Sequence, residues 1–304
     1  CCLALVAVAQ ADPEVAYRES GEGFRVGRKI RILDLADDSV TQFTDDWLRE
    51  ASPSWLPGGE ALVANGYQDD HWSIFRARIG GERTWLTDHP AGDVSPTVSP
   101  DGRRIAFASG RDGDMQLQLY MMDADGSNLR RLTNDESWSG TPSWSPDGTK
   151  LAYGYTDGWN FSTLRILDLD TGESRALTNR NGRRSQPQWS WDGKHIAYQV
   201  QDDALGEFHV EVMTVDRTDS WRLTADAGPI NGGPAWTPEG DISFTTRRGD
   251  RRHIAVTGLH GGELELLTDD STYKGWLAWY SPRYFAVRAL SVLQPKVWGW
   301  LKAR

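Results

Sequence analysis

An all-β fold built from one repeated four-stranded unit is predicted by three features of this 304-residue chain. A Leu-Thr type pair recurs six times at steps of 43 to 46 residues, with its threonines at Thr44, Thr87, Thr133, Thr178, Thr224 and Thr268. A Pro-x-Trp or Pro-x-Val unit recurs in five of the six periods and in degenerate form in the last, and helical periodicity is absent. A period in the mid-forties is typical of blades arranged radially, so we predict a six-bladed β-propeller of four-stranded antiparallel blades.

The Pro-x-Trp unit predicts the innermost strand of each blade and the hairpin turn after it. Six copies are present, the first and last loosened, at 53–59, 96–102, 142–148, 187–193, 234–240 and 277–282. In the third copy, Pro142 to Ser145 form the strand and Pro146-Asp147-Gly148 the turn. Pro presets φ, Asp bonds its own backbone, and Gly accepts a positive φ.

The other three strands of a blade follow in the same order. After the third copy we predict a second strand at 150–154 and a third at 161–169. A turn at 170–172 leads into a fourth strand that ends at 177–178.

The two ends of the chain predict how the ring closes. Three N-terminal strands, at 15–17, 30–34 and 40–44, lack an innermost partner. One C-terminal inner strand, at 276–281, has no other strands to follow it. We therefore predict that the N-terminal strands pair with this C-terminal strand and remove the exposed edges.

Charge and hydropathy limit the partners. The chain has 33 basic and 43 acidic residues and a net charge of −10. This argues against nucleic acid, because phosphate binding needs a basic surface. No apolar run approaches the roughly 20 residues that cross a bilayer. We expect a monomer with no membrane span.

The N-terminal residues predict export. Residues 1–9 are almost wholly apolar, and 9–11 have the small-x-small form of a signal-peptidase site. We predict a truncated signal peptide at 1–11, which removes both cysteines, and a periplasmic or secreted protein that begins at Asp12. The alternative is a buried strand. The propeller is predicted at 12–282, and the apolar tail at 283–304 is predicted to pack on it, or alternatively to bind a partner.

Several motifs together resemble the TolB-type propeller repeat, a relative of WD repeats. They are the Ser-Pro-Asp-Gly turn, the Ile/Leu-Ala-Phe/Tyr strand, the Tyr-x-Met-Asp strand and the Leu-Thr ending. The resemblance covers residues 15–282. TolB itself is a periplasmic protein of the Tol–Pal envelope system whose propeller follows a separate α/β domain. In this chain only about three residues lie between the predicted cleavage site and the first predicted strand at 15–17. We therefore expect a stand-alone TolB-like propeller that lacks the N-terminal domain of TolB.

Ligand contacts are expected on the face formed by two sets of loops, those from the second to the third strand and those into the next blade. Aromatic residues on a polar rim suit stacking on sugars or anchoring a peptide. The predicted ligand-binding residues are His71, Trp72, Trp138, Trp159 and Arg248. The alternative is that these residues belong to solvated loops and packing between blades.

Charge is divided across the same face. The loops of the first three blades are mostly acidic, whereas Arg183, Arg184 and the cluster at 247–252 are basic. A dipolar rim of this kind would orient a protein partner. An ordinary solvated surface is the alternative.

No catalytic or metal-binding constellation is predicted. There is no Gly-x-Ser-x-Gly elbow, and the calcium-loop likeness at 123–126 fails because Asn134 occupies the position of the bidentate Glu. The six histidines form no close pair, so no metal or other cofactor is expected. A site that gathers His71, His89 and His209 in the funnel, as in some propeller polysaccharide lyases, is the exception we keep open.

The sequence thus predicts a non-catalytic binding or scaffold protein of the periplasm or cell envelope that presents propeller-face loops to a protein or peptide partner. The alternative is a carbohydrate-active propeller, either glycan-binding or polysaccharide lyase-like. A purely structural domain of a longer gene product is the third hypothesis.

Overall fold

All regular elements in the described part of the chain are strands. The computed structural model describes residues 14–20, 28–43, 49–113, 116–135, 137–156, 162–179, 182–201, 207–224, 232–249, 251–268 and 273–280. The predicted signal peptide at 1–11 and the tail at 283–304 lie outside these ranges. The strands are β1 (Glu14–Ser20), β2 (Arg28–Asp34), β3 (Val40–Gln42), β4 (Glu50–Trp55), β5 (Ala61–Gln68), β6 (His71–Arg78), β7 (Arg83–Trp85), β8 (Asp93–Val98), β9 (Arg104–Ser109), β10 (Gln118–Asp123), β11 (Arg130–Arg131), β12 (Trp138–Trp144), β13 (Lys150–Thr156), β14 (Ser162–Asp168), β15 (Ser174–Ala176), β16 (Arg183–Trp189), β17 (His195–Gln201), β18 (Phe208–Thr214), β19 (Ser220–Arg222), β20 (Gly232–Trp236), β21 (Ile242–Arg248), β22 (Arg251–Thr257), β23 (Glu265–Leu266) and β24 (Tyr273–Tyr280).

These strands form five hydrogen-bonded sheets. Four sheets have four strands each, in the orders β24-β1-β2-β3, β4-β5-β6-β7, β11-β10-β9-β8 and β20-β21-β22-β23. Strands β12 to β19 form one eight-stranded sheet. Within it, a parallel bridge between Ser162 and Arg183 joins β14 to β16. The other strand pairs are antiparallel, including β1 with β24.

The prediction of a six-bladed propeller of separate four-stranded blades is therefore wrong. The structure has four four-stranded sheets, and the fifth sheet contains eight strands. The sequence prediction counted copies of a motif, whereas a sheet is defined by the hydrogen bonds between its strands. The bridge between Ser162 and Arg183 makes one sheet of two repeats. The pairing of β1 with β24 is present, but the six separate blades predicted around it are not.

The innermost strands surround a central cavity. Strands β4, β8, β12, β16, β20 and β24 contact one another in this order, and β24 contacts β4. Their C-terminal halves line a cavity of about 200 Å³. Their N-terminal ends therefore share the opposite side of the ring. We call that side the loop face, and the inner strands begin there at Glu50, Asp93, Trp138, Arg183, Gly232 and Tyr273.

A β-bulge bends the inner strands next to the motif proline. The residue before the proline has a left-handed φ, which costs a residue with a side chain about 1–2 kcal/mol. The residues are Ser52 (55°), Ser95 (54°), Thr141 (49°), Gln186 (52°) and Gly233 (63°). All five line the cavity, so the bulges shape its wall.

Hydrophobic side chains pack between neighbouring sheets. One buried cluster joins Val63 and Ile74 to Phe107 and Tyr120, which belong to the next repeat. The motif tryptophans connect the inner strands directly through indole N–H groups that donate to the strand before. The bonds run from Trp55 to the Ala278 carbonyl, from Trp144 to that of Thr97 and from Trp236 to that of Gln188, at 2.9–3.1 Å.

The Leu-Thr signal has a structural explanation. In five repeats the threonine Oγ1 accepts a hydrogen bond from a backbone amide of the third strand, where the fourth strand ends. The amide and hydroxyl pairs are Ile74 with Thr87, Leu119 with Thr133, Leu164 with Thr178, Val210 with Thr224 and Ile254 with Thr268, at 2.9–3.0 Å. The sixth threonine, Thr44, lies outside the described residues.

We expect Thr224→Val to lower the free energy of unfolding by about 1–3 kcal/mol, because the Val210 amide loses its acceptor in a buried position. Thr224 is 2% exposed, so water cannot easily replace the hydroxyl. The measurement is chemical denaturation of parent and variant. Thr224→Ser keeps the oxygen and should lose less. Equal stability of the Val variant and the parent would mean that the motif is not a cap.

No helix that is long and apolar enough to cross a membrane occurs among the described residues.

Candidate functional site

Four of the five predicted ligand-binding residues lie on the loop face. His71 and Trp72 begin β6, Trp138 begins β12, and Arg248 ends β21. Trp159 lies outside the described residues. The sequence suggested a loop for these residues, but all four are in strands.

The connection before His71 is a tight turn. Only Asp69 and Asp70 separate β5 from β6, and both have left-handed φ values, 45° and 65°. Two positive φ angles characterise the type I′ turn, whose twist matches that of the flanking strands. The turn thus projects two exposed carboxylates from the loop face.

His71 joins this turn to the next loop. Its Nδ1 lies 3.0 Å from the Asp69 carbonyl oxygen, and its Nε2 lies 2.8 Å from Asp88 Oδ1. Both partners are acceptors, so the ring makes the two contacts together only when both nitrogens carry a proton. The His71 side chain is 11% exposed. These contacts hold the turn at Asp69 against the loop that carries Asp88, and the Asp88 side chain itself is exposed.

Trp72 is part of a small aromatic group. Its ring lies edge-on to Tyr67, with centroids 5.5 Å apart. The guanidinium of Arg49, the residue before β4, lies 5.7 Å from the Tyr67 ring centre. All three side chains keep some solvent exposure. The group offers an aromatic and cationic surface near the acidic turn.

Among the described residues, Trp138 is the most exposed large apolar side chain on the loop face. It is 47% exposed, and it pairs with Thr156 across the first rung of β12 and β13. Ile79 and Leu129 are exposed to a similar degree, 43% and 44%. Both adjoin turns between third and fourth strands, at the opposite side of the ring. Ile79 and Leu129 are therefore apolar residues of similar exposure on the opposite face and can serve as controls for Trp138.

The charges of the loop face form two groups. Asp69, Asp70 and Asp88 are exposed in the first repeat. Arg183 begins β16, and Arg247 and Arg248 end β21; these three are exposed as well. Trp138 lies between the two groups in the order of the inner strands.

Two further carboxylates near this face are paired with side chains of the protein. Asp93 is fully buried, and Arg111 Nη2 lies 2.7 Å from its Oδ1. Asp112 accepts hydrogen bonds from the Tyr120 hydroxyl and from Arg131. The bond from Tyr120 lowers the pKa of Asp112, and burial together with Asp112 raises the pKa of Tyr120 to about 12. Asp93 is thus an internal charge, whereas Asp112 is paired with Tyr120 and Arg131 but stays 45% exposed.

The His209 side chain also contacts a neighbouring side chain of the protein. Its Nε2 lies 3.0 Å from Glu211 Oε1, and the Tyr198 hydroxyl donates to the same carboxylate at 2.7 Å. Burial raises the pKa of Glu211, but the hydrogen bonds from His209 and Tyr198 outweigh it and leave the pKa lowered. Burial and the adjacent carboxylate raise the pKa of Tyr198.

No group of three or more His, Cys, Asp or Glu side chains that could hold a metal ion is found among the described residues. His71, His89 and His209 all belong to the described part of the chain. The funnel site that would gather these three histidines is therefore not formed.

The central cavity has a different chemistry from the loop face. Among the described residues, its lining consists of Ser, Thr, Gln, Gly, Pro and apolar side chains, with no charged group. Most of the indole N–H groups around it already bond to the protein, including that of Trp279, which donates to Ser243 Oγ at 2.7 Å. Charge and exposed aromatic surface occur together on the loop face, which is therefore the better candidate for a macromolecular ligand.

The sequence did not reveal that the inner strands begin with buried charges. Glu50, Asp93 and Lys274 are each fully buried near the first residue of an inner strand. A usable signal existed for two of them, since Glu50 and Asp93 stand three residues before the motif prolines Pro53 and Pro96. A charge at a fixed position of a buried strand predicts an internal ion pair.

The fold and the loop face define a β-propeller whose accessible chemistry suits binding. A sequence profile of the TolB beta propeller domain (PD40) matches residues 114–284, more than half of the chain. The chain belongs to this TolB β-propeller domain family.

Two curated relatives match shorter parts of this chain than the family profile does. An uncharacterized protein of Agrobacterium fabrum is 31% identical over 134 residues, which is 41% of this chain and 46% of the relative. The Tol-Pal system protein TolB of Francisella tularensis is 31% identical over 84 residues, 27% of this chain and 19% of the relative. The chain thus spans less than half the length of both.

Solved structures share the fold. TolB from Acinetobacter baumannii has a TM-score of 0.77 at 20% identity, covering 88% of this chain and 66% of that one. An oligogalacturonate lyase in complex with manganese has a TM-score of 0.56 at 18% identity, covering 77% of this chain and 72% of that one. Both likenesses concern the fold alone.

Proposed function

We propose that this propeller is a non-catalytic binding protein of the periplasm or cell envelope, and that its loop face receives a protein or peptide partner. Trp138 carries the proposal, since it is 47% exposed on a face that also presents two groups of opposite charge. Tryptophan and arginine are enriched in protein interfaces, where they supply most of the binding energy.

Membership of the TolB β-propeller family is the reason for proposing a location in the cell envelope. The TolB β-propeller domain family includes Tol-Pal system proteins, and TolB works in the bacterial envelope. Divided charge on a rigid face would orient a protein partner during encounter. A periplasmic or secreted location is part of this proposal.

The carbohydrate-active alternative has less support. The likeness to the oligogalacturonate lyase is one of fold. Both ring nitrogens of His71 already contact protein oxygens, and the described residues include no group of three His, Cys, Asp or Glu side chains that could hold a metal ion.

We expect Trp138→Ala to reduce strongly the retention of a discrete envelope protein on the immobilised chain, whereas Leu129→Ala should leave retention unchanged. Leu129 is the matched control, because it is 44% exposed on the opposite face. An interface tryptophan contributes at least about 2 kcal/mol, so retention should fall roughly 30-fold. The measurement is quantitative mass spectrometry of proteins eluted from each variant.

Equal retention by all three chains would remove Trp138 from the interface. Retention of polysaccharide and no discrete protein would favour the carbohydrate-active alternative. Thermal melts of the three chains establish beforehand that each is folded.

A further inference from the structure

The size and the lining of the central cavity limit what it can hold. Within the described residues, the lining contains no charged group, so an ionic ligand would lose its hydration without gaining a counter-charge. A cavity of about 150 Å³ accommodates benzene. This cavity, at about 200 Å³, therefore has room for one six-membered ring with small substituents. The cavity suits a small neutral molecule.

Polar groups without a partner are concentrated on the inner strand β16, which lines this cavity. Gln186 Oε1 and Trp189 Nε1 are buried and have no hydrogen-bond partner in the described part of the chain. The side-chain amide of Gln188 makes no hydrogen bond to the described residues either. All three residues line the cavity. Strand β16 thus carries donors and acceptors that the protein does not use.

Trp189 differs in this respect from motif tryptophans of other repeats. The indole N–H groups of Trp55, Trp144 and Trp236 donate to a carbonyl of a neighbouring inner strand. In the fourth repeat the Trp189 backbone amide donates to Ser143 Oγ at 3.2 Å, but the indole N–H reaches no acceptor among the described residues. The repeat motif therefore does not explain the unused groups of β16.

The wall beside β16 is formed by small and apolar residues. Strand β20, which contacts β16, contributes Gly233 and Ala235 to the lining. Strand β24, which contacts β20, contributes Leu277 and Ala278. The cavity thus places carboxamides beside an apolar wall, and such a combination suits a ligand that has both polar groups and a C–H surface.

We propose that the central cavity binds a neutral pyranose sugar through the carboxamides of Gln186 and Gln188. A carboxamide has a donor and an acceptor side by side, so it can bond two neighbouring hydroxyls of a sugar. Because Gln186 Oε1 is buried, the amide turns about its terminal torsion, which has broad preferences, to meet the ligand. In turning it gains the hydrogen bond that it lacks in the free protein. This site is separate from the loop face and does not depend on the protein partner proposed there.

Saturation-transfer difference NMR of the full chain with D-glucose, D-galactose and D-mannose tests the proposal. At least one of these sugars should bind with a Kd of about 1 mM, the affinity expected for a ligand of about a dozen non-hydrogen atoms. D-glucuronate and D-glucosamine carry a charge and should bind at least about tenfold more weakly, because the lining offers no counter-charge.

Gln188→Met should weaken binding of the best sugar about tenfold, because it removes the amide and keeps the shape of the side chain. Gln68→Met is the matched control and should leave the affinity unchanged. Gln68 is also half-buried, but it ends β5 on the loop face and does not line the cavity.

Gln186→Met separates binding from folding. It removes a buried oxygen that has no partner, so its melting temperature should equal or exceed that of the parent. The same variant should bind the sugar more weakly. A purely structural glutamine would not combine weaker binding with undiminished stability, so this combination supports the proposal.

Three results would overturn the inference. The first is no saturable binding of the three neutral sugars, which would mean that the cavity holds water. The second is tighter binding of the charged sugars. The third is a sugar lost by Trp138→Ala and retained by Gln188→Met, which would place the sugar on the loop face and favour the carbohydrate-active alternative. Loss of the envelope partner by Trp138→Ala, with sugar binding intact, would support two independent sites.

Discussion

Trp144→Ala should lower the free energy of unfolding by about 3–5 kcal/mol, the usual cost of truncating a buried tryptophan. Trp144 is 6% exposed and ends the inner strand β12. Its indole N–H donates to the Thr97 carbonyl at 3.1 Å, and the Arg104 guanidinium lies 4.8 Å from the ring centre. The truncation would therefore open a cavity between two sheets and remove a bond that joins neighbouring inner strands.

Trp138→Ala provides a control from the same strand. Trp138 begins β12, is 47% exposed and should change the unfolding free energy by no more than about 0.5 kcal/mol. Chemical denaturation of the three proteins measures both values. If the two truncations cost the same, the packing of motif tryptophans between sheets would not be what stabilises the ring.

The repeating parts of the structure could be predicted because local rules specify them. The Leu-Thr signal fixes the end of the fourth strand, since the threonine hydroxyl caps a third-strand amide in the same repeat. The turn at Asp147 depends on bonds from Ser145 and the Thr149 amide. Burial raises the pKa of Asp147, but these bonds outweigh it and lower the pKa. Such interactions span a few residues, so a motif is enough to reveal them.

The arrangement of repeats into sheets could not be predicted in the same way. The bridge between Ser162 and Arg183 depends on how closely two strand ends approach across the loop face. Neither residue belongs to a repeated motif, and so the sequence predicted separate blades where one eight-stranded sheet exists.

The candidate site was predicted only in outline. The sequence could group His71, Trp72, Trp138 and Arg248 on one side of the ring, because the order of strands in a repeat decides which strand ends share a side. Their role in ligand binding stays a prediction. It could not distinguish exposed charges from internal ones. Asp88 and Asp93 both follow the fourth strand of one repeat, yet Asp88 is exposed and Asp93 is fully buried. Their burial depends on contacts with residues distant in sequence.

The Asp93–Arg111 pair gives the second large effect that we expect. Arg111→Met should lower the free energy of unfolding by about 3–5 kcal/mol, because it leaves a buried carboxylate without its counter-charge. Asp93 is 0% exposed, and its Oδ2 has no hydrogen-bond partner in the described part of the chain. Arg111, 2.7 Å from Oδ1, is therefore the cation that compensates Asp93. Methionine keeps much of the apolar stem, so the variant mainly removes charge.

A double-mutant cycle separates this charge effect from lost packing. Asp93→Asn combined with Arg111→Met removes both charges, and the double variant should be more stable than Arg111→Met alone, since no buried ion remains. Arg131→Met is the matched control, because its partner Asp112 is 45% exposed and a solvated pair contributes about 1 kcal/mol or less. Strict additivity of the two single variants at Asp93 and Arg111 would mean that the two charges do not interact, which would contradict the prediction. A favourable interaction energy would instead mean that this loop is held on the ring by a buried charge pair, a requirement that the repeat motif does not encode.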